Sequence, residues 1–456
     1  MKAKQFLTVT ALTVFGTLSI AHAAVSPEEA KQLGSTLTWF GAEAGASADG
    51  SIPAYTGGLT TPPPGLKKGS SDYPDPYADE KPLYTVTPAN MAQYADKLTE
   101  GQKTLLKKYA DYRLDIYPTH RTFAAPKSVQ DYTLKNATHC GTTDGGISAD
   151  FKTCFGGIPY PIPKTGYEAI WNYLMRPQPA ARRVRTTAYV SNGGRATLAG
   201  DSTTQMELPY YDPNKTQLDS TIYFRAKLNT MGPPRSAGEQ LLQKIHVNPM
   251  VEPQQVWQYL PGQRRVRQAP ELSFDTPSPQ SGGLINMDQN EVFQGSPERY
   301  DMKLVGRKEM FIPANNYKFM KDAQHCAAAN LVHDKFLNPE CVRWELRRVV
   351  IVDATLKAGK RHSVPHRVFY LAEDGYTNAM SDDYDASGAL YRAVYNFFFM
   401  FSEVPIPVAG PYVSYDFSKG SYVAVGTVAD SPDFGLVEPL QERDWSSDAL
   451  AGSGIR

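Results

Sequence analysis

Residues of the kind that bind metal ions are grouped at two places in the second half of the chain. Asp383, Asp385 and Ser387 occupy the first, third and fifth positions of a calcium-loop pattern, and Gly388 occupies the sixth. The twelfth position is Val394, where a calcium loop needs a bidentate glutamate. An acidic β-turn is therefore the better interpretation of this segment.

The second place is a pair of histidines, His362 and His366, which would share one face of a strand. Pro365 lies between them and the sequence offers no third ligand nearby. Histidines in the core or at the surface are favoured over a metal pair, because a protein zinc site needs three or four ligands. We predict no metal site and no cofactor.

Catalytic signatures are missing from the chain. It has no G-x-S-x-G nucleophile elbow, no H-E-x-x-H zinc motif and no phosphate-binding loop. The residues that can act as acid or base are Glu345, Asp353, His362 and His366, and no paired constellation emerges from their spacing. An enzyme that acts on a hydrophobic substrate is therefore an alternative hypothesis, and not the leading one.

Two segments, 257–267 and 343–348, mix aromatic residues with arginine. In a strand, Trp257 and Tyr259 share one face. One interpretation is an apolar core face backed by cross-strand ion pairs. The other is a concave aromatic wall that holds an apolar ligand, with arginine at the rim for a polar or anionic head group. The sequence does not separate the two.

Under the second interpretation, the candidate ligand-binding residues fall into two sets. The candidates for the cavity wall are Trp171, Trp257, Tyr259, Trp344, Leu346, Phe369, Phe397 and Phe399. The candidates for the polar rim are Arg264, Arg265, Arg267 and Arg347.

The elements that would position these residues are mostly strands. A short helix after Ser26, a longer one over 88–112 and one over 168–175 are predicted from caps and helical periodicity, and a further helix is plausible at 237–245. From residue 182 onward, short segments rich in β-branched and aromatic residues alternate with turn signals. The predicted strands are 184–190, 205–210, 221–228, 255–260, 264–268, 302–305, 342–352, 366–371 and 390–401. Their succession predicts an antiparallel meander.

The first 23 residues have the pattern of a cleavable signal peptide. Lys2 and Lys4 precede an uncharged apolar run over 6–20, and Ala21-His22-Ala23 offers a small-x-small cleavage site. An uncleaved membrane anchor is the alternative, but the run is shorter than the roughly 20 residues that span a bilayer. We expect a mature chain that starts at Ala24, without a lipid-bearing cysteine, and is soluble in the periplasm.

The 4 cysteines agree with an oxidising compartment. They form two local pairs, so disulfides Cys140–Cys154 and Cys326–Cys341 are the simplest of three connectivities. A zinc site is the competing interpretation, but neither pair has the close spacing of a zinc knuckle. The chain has 47 basic and 47 acidic residues, which offers no electrostatic case for a nucleic-acid partner.

Several unusual strings occur in the order found in one bacterial family. They are 41–58, Tyr117-Pro118-Thr119-His120-Arg121, 156–163, 259–267 and 343–348. In these strings the chain resembles the domain-of-unknown-function family 1329 of Gram-negative bacteria, over essentially the whole mature length. That family is similar in fold to the lipoprotein carriers LolA and LolB.

The resemblance implies an α+β, mainly β fold. We expect a strongly curved antiparallel sheet, an unclosed barrel, over 113–456, covered by helices and packed as one unit with an N-terminal arm and helices over 24–112. The stretch 41–82 of that arm is expected to be long and irregular. The resemblance also implies partners, namely a transporter of the resistance-nodulation-division type and an outer-membrane protein.

These observations lead to one functional hypothesis and its rivals. The leading hypothesis is a periplasmic carrier or chaperone of a lipid, acyl chain or sterol-like compound that acts with envelope transport partners. The alternatives are the enzyme described above and a factor peripheral to the outer membrane that assists assembly there.

Overall fold

The computed structural model describes residues 25–66, 74–150, 152–318, 325–401, 404–426 and 434–454. The predicted signal peptide, residues 1–23, lies outside these ranges. The α-helices of the described chain are α1 (Pro27–Ala30), α2 (Glu100–Lys108), α3 (Lys127–His139), α4 (Gly166–Leu174), α5 (Ala328–Leu331) and α6 (Ser447–Gly454). In these ranges no helix is long and apolar enough to cross a membrane.

Strands make up most of the described structure. In chain order they are β1 (Tyr84–Val86), β2 (Leu114–Tyr117), β3 (Thr142–Thr143), β4 (Ser148–Ala149), β5 (Ala181–Ser191), β6 (Thr197–Glu207), β7 (Ile222–Gly232), β8 (Gln240–His246), β9 (Gln255–Leu260), β10 (Arg265–Gln268), β11 (Tyr300–Pro313), β12 (Trp344–Leu356), β13 (His366–Ala372), β14 (Ala379–Tyr384), β15 (Leu390–Phe401), β16 (Ile406–Asp416), β17 (Ser421–Val425) and β18 (Phe434–Leu436).

All of these strands except β3 and β4 belong to one 16-stranded sheet. Two meanders, β11 to β17 and β5 to β10, form most of it and are joined where β17 pairs with β5. The other three strands are β1 and β2, which extend the sheet beyond β12, and β18, which pairs with β5. Every pairing is antiparallel except that of β2 with β12. The predicted antiparallel meander is confirmed, and the fold is mainly β.

The sheet curves around helix α4. This helix has 9 residues, so it is about 13 Å long. It contacts β11 and β12, and its Trp171 ring lies 5.8 Å from that of Tyr223 on β7. Seven strands separate β12 from β7 in the sheet order, which would place them about 38 Å apart if the sheet were flat. One short helix can touch both only because the sheet bends round it.

Both faces of the sheet are covered along β13 to β17. On the inner face, Phe369 and Val394 share one apolar cluster with Trp171 of α4. On the outer face, Tyr395 and Leu105 belong to a second cluster that includes α2 and strands β1 and β2. This explains why β15 carries an almost uninterrupted apolar run, because its alternate side chains are buried on opposite sides.

The two local disulfides predicted from the sequence are confirmed. Cys140 is bonded to Cys154, and Cys326 to Cys341. Each closes a short loop, and in both cases the cysteines are buried. Such bridges stabilise a fold mainly by limiting the unfolded chain.

Several predicted elements differ from those observed. The helix at 237–245 is wrong, because Gln240–His246 is strand β8, paired with both β7 and β9. The long helix over 88–112 is interrupted by extended Leu98, so that a 3-10 helix over Met91–Lys97 is followed by α2, which Thr99 caps. The helix over 168–175 is confirmed as α4. Helix α3 was not predicted.

Candidate functional site

A cavity of about 120 Å³ lies on the inner face of the sheet, at the half formed by β5 to β9. Residues of β16 and β17 close one side, and the segment 278–294 crosses over it. This covering segment joins β10 to β11 and includes two short 3-10 turns, Pro279–Ser281 and Met287–Gln289. The cavity is therefore bounded by the curved sheet and by one irregular connection, and it is partly open to solvent.

The walls of the cavity are mostly apolar. Val184 of β5, Met206 of β6, Phe224 and Leu228 of β7 and Val256 of β9 all face it. Neighbouring strands contribute side chains to the same side because alternate residues of a strand point to the same face. The result is a continuous apolar surface that an apolar ligand can contact.

The covering segment is held in place by a buried network of charges. Arg367 of β13, Asp383 of β14 and Arg392 of β15 are direct cross-strand neighbours. Arg367 Nη2 lies 3.1 Å from Asp288 Oδ2, and Arg392 Nη1 donates to Gln289 Oε1 at 2.6 Å. Although burial opposes ionisation, Arg367 keeps the pKa of Asp288 below its usual value. The segment is thus fixed to the strands beside the cavity.

One end of the cavity is charged. Arg182 of β5 lines it and is 2% exposed, and Glu291 of the covering segment lines it from the opposite side. Arg182 Nη2 and Glu291 Oε1 are 3.7 Å apart. Arg176, which follows α4, forms a closer ion pair with the same carboxylate. Burial lowers the pKa of Arg182 to about 10, because Glu291 only partly offsets the loss of hydration.

The backbone around Glu291 adopts an uncommon conformation. Glu291 has a φ of 48° and Val292 a φ of 77°, a region that β-branched residues rarely occupy. The segment is held there by burial of Val292 and Phe293, whose ring lies 5.4 Å from that of Phe369. Packing therefore directs the Glu291 carboxylate towards the two arginines.

The aromatic candidates from the sequence lie elsewhere in the molecule. Trp257 and Tyr259 belong to a cluster with Trp445 and Leu450, on the outer face of β8 to β10. Their neighbour Val256 points the other way, into the cavity. A one-residue difference in strand position thus decides which side chain reaches the cavity.

The remaining wall candidates are core residues. Trp171 and Phe369 lie in the inner-face cluster under α4, beside the cavity but not among its lining residues. The others lie in the outer-face cluster: Trp344, Leu346, Phe397 and Phe399. None of the candidate aromatic or leucine side chains lines the cavity.

The rim candidates are also away from the cavity. Arg264 and Arg265 are exposed at the turn between β9 and β10, and Arg267 pairs there with Glu271. Arg347 is buried and forms ion pairs with Glu345 and with Asp374. The segment 343–348 thus serves as a buried ion-pair network on one side and as core on the other.

The histidines proposed as acid or base are paired with aspartates away from the cavity. His362 Nε2 lies 3.0 Å from Asp288, and His366 Nε2 lies 2.9 Å from Asp353. None of these four residues lines the cavity. The described residues contain no group of three ligands suited to a metal ion, and the stretch after Asp383 is a turn in which Asp385 accepts backbone hydrogen bonds.

The residues that define the charged end were not found from the sequence. Arg182 begins an alternating series with Val184, Thr186 and Ala188 on the inner face of β5. An arginine at the apolar positions of a strand can indicate a functional site in the sequence, since a buried charge needs a partner. Glu291 carried no such signal, because it lies in an irregular connection.

The fold and the cavity together define a class, an open curved sheet that encloses an apolar site beneath a crossing segment. The chain belongs to the family described as "Protein of unknown function (DUF1329)", which matches residues 85–451. It is 36% identical over 468 residues to an uncharacterized protein of Pseudomonas aeruginosa, and the alignment covers 100% of both chains. The family resemblance found in the sequence is confirmed.

Several solved structures are similar to this chain. A putative outer membrane lipoprotein-sorting protein domain from Vibrio parahaemolyticus is 12% identical with a TM-score of 0.40, covering 63% of this chain and 98% of its own. A DUF1329 family protein from Desulfovibrio piger is 14% identical with a TM-score of 0.38, covering 62% and 97%. A LolA superfamily protein from Nitrosomonas europaea is 9% identical with a TM-score of 0.35, covering 62% and 99%.

Proposed function

We propose that this protein is a carrier or chaperone of a hydrophobic molecule, such as a lipid, an acyl chain or a sterol-like compound. The observation that carries the proposal is the apolar cavity between the inner face of β5 to β9 and the covering segment 278–294. Buried apolar surface contributes about 25 cal/mol per Å², so such a wall binds chains and rings without specific polar contacts.

The size of the cavity limits which ligands can fit inside it. At about 120 Å³ it is close to the ~150 Å³ apolar cavity that admits one benzene molecule in another protein. A single ring, or several methylenes of one chain, fits inside this volume, and the rest of a larger ligand would extend through the open side of the cavity. The proposal is therefore a carrier that holds one slim apolar group of its ligand inside the cavity.

The place of action and the partners are part of the same proposal. Two disulfides suit an oxidising compartment, and the sequence predicts export to the periplasm. There the carrier would exchange its ligand with envelope proteins. The partners that the family resemblance implies are a resistance-nodulation-division type transporter and an outer-membrane protein.

A pair of tryptophan variants tests the carrier proposal. Ala226 of β7 lines the cavity, so Ala226→Trp fills the space that a ligand needs. Asn229 lies on the same strand, is exposed and does not line the cavity, so Asn229→Trp is the matched control. We expect the wild-type protein and N229W to bind N-phenyl-1-naphthylamine with enhanced fluorescence, and A226W to bind it at least about tenfold more weakly.

Urea unfolding of all three proteins establishes that they are folded. Binding by A226W as tight as that of the wild-type protein would place the apolar probe outside this cavity. No uptake of the probe or of long-chain lipids by the wild-type protein would contradict the carrier function itself.

A further inference from the structure

The charged end of the cavity contains more positive than negative charge. Arg176 and Arg182 both face Glu291, and Arg176 holds its carboxylate closely. Among the described residues, no other carboxylate lies within ion-pair distance of Arg182. One carboxylate thus serves as the counter-charge for two buried guanidinium groups, and a buried charge without a counter-charge destabilises the protein.

Arg182 also has unused hydrogen-bonding capacity. Its Nη1 is buried and has no hydrogen-bond partner among the residues that the structure describes. Its Nε and Nη2 lie 3.4 Å and 3.3 Å from the sulfur of Met206, which is only a weak acceptor. Buried arginine groups normally bind carboxylates or backbone oxygens, so Arg182 lacks the acceptor that its burial calls for.

The missing acceptor is best supplied by an anion. A water molecule can accept a hydrogen bond from one N–H, but it brings no charge and leaves the second arginine uncompensated. A carboxylate or phosphate oxygen satisfies the N–H and balances the charge together. Arg182 lines the same cavity as Phe224 and Met206, so an anion bound to Arg182 would lie directly beside the apolar wall.

We infer that Arg182 binds the anionic head group of an amphipathic ligand whose apolar part occupies the cavity. This inference rests on the proposed carrier function and adds the chemical class of the ligand. The head group is a carboxylate or phosphate, and the remainder is one slim chain or ring. The ligand takes its orientation from the protein, with its head at β5 and its apolar part against β7 to β9.

A series of probes with the same chain tests the inference on the unmodified protein. Dodecanoate, dodecyl phosphate and 1-dodecanol are titrated against protein that carries N-phenyl-1-naphthylamine, at neutral pH and fixed salt. At least one of the two anions is expected to displace the dye with about tenfold higher affinity than the alcohol, because the charge-assisted hydrogen bond adds to the same apolar contact. The anion that binds more tightly identifies the oxyanion that the site prefers.

Three variants test whether Arg182 causes the preference for an anion. Arg182→Met removes the charge, keeps an apolar stem and leaves Arg176 paired with Glu291, so it should lose the tenfold preference and still take up the dye. Arg183→Met is the matched control, since Arg183 is exposed on the other face of β5. Glu291→Gln removes the competing carboxylate and should raise the affinity for the preferred anion several-fold.

The outcomes separate the two proposals. Equal affinity for the alcohol and both anions, or a preference that survives in R182M, overturns the assignment of Arg182 while the carrier function stands. If neither the dye nor any of the probes binds to the wild-type protein, the carrier function fails, and the inference fails with it.

Discussion

At the scale of single residues, burial and charged neighbours compete at the buried carboxylates of this protein. Glu345 and Asp288 face arginines, which outweigh burial and keep the pKa of each carboxyl below its usual value. Asp382 accepts hydrogen bonds from the backbone N–H groups of Glu100 and Gly101 at 2.8 Å and 3.0 Å. Burial nevertheless raises the pKa of Asp382 to about 7.

The raised pKa of Asp382 predicts a stability change on the acid side of neutrality. Between pH about 4 and about 7 the folded protein holds a proton that the unfolded chain has lost, so its free energy of unfolding falls as the pH rises. The slope from one such group approaches 1.4 kcal/mol per pH unit at most, by order of magnitude. Urea unfolding across this range should show the fall in the wild-type protein and a smaller one in Asp382→Asn.

The control for this measurement is Asp111→Asn, at an exposed position near the end of α2. It should keep the wild-type slope. A slope that is the same in D382N and the wild-type protein would mean that other groups cause it. Asp288 and Glu345, whose pKa is lowered, act in a different window, since their stabilising effect is lost only as the pH falls below about 4.

At the scale of elements, glycines show how closely helices approach the sheet. A Cβ at Gly101 of α2 would lie 2.4 Å from Ala393 Cβ and 2.7 Å from Asp382 Oδ1. The helix can lie this close to β14 and β15 only because position 101 has no side chain. By contrast, a Cβ at Gly452 of α6 would meet no atom within 4 Å.

Two alanine substitutions should therefore differ in their effect on stability. Gly101→Ala forces α2 away from the sheet and should lower the free energy of unfolding by about 1–3 kcal/mol. Gly452→Ala adds a better helix former without a clash and should leave stability unchanged or raise it by up to about 1 kcal/mol. Equilibrium urea unfolding measures both. A neutral G101A would show that α2 shifts at little cost.

At the scale of the whole molecule, the two meanders are covered unequally. Strands β13 to β17 have apolar clusters on both faces. The meander from β5 to β10 faces the cavity on its inner side and ends at β10, where three of the four residues are exposed. We expect the rigid part of the molecule to be β13 to β15 and the adaptable part to be the one that forms the cavity.

Hydrogen exchange followed by mass spectrometry tests this difference. Amides of β13 to β15 should exchange slowest, near the rate set by global unfolding, and those of β9 and β10 several-fold faster or more. Saturation with a bound ligand should slow exchange in β5 to β9 more than in β13 to β15. Equal protection of both meanders, with and without ligand, would contradict the division into a rigid and an adaptable part.

Particular elements show how much the sequence alone could predict. Helix α4 was recognised because Ile170, Trp171 and Leu174 recur at helical spacing, and it begins at its cap, Thr165. Strand β8 is not visible in the sequence, because its short leucine-containing run does not show a clear period of two. Pairing with β7 and β9 overrides this local pattern, since each neighbour supplies backbone hydrogen bonds that the segment alone cannot reveal.

The sequence by itself determined the family, the mainly β meander and the local cysteine pairs, because each depends on residues close together in the chain or on strings that occur in order. Only the tertiary structure decided which strand faces line the cavity. Alternation shows that Trp257 and Tyr259 share a face, but not that Val256, on the other face, points inward. Arg182 and Glu291 likewise meet only when the covering segment crosses the curved sheet, since their proximity results from the bend and not from their positions in the sequence.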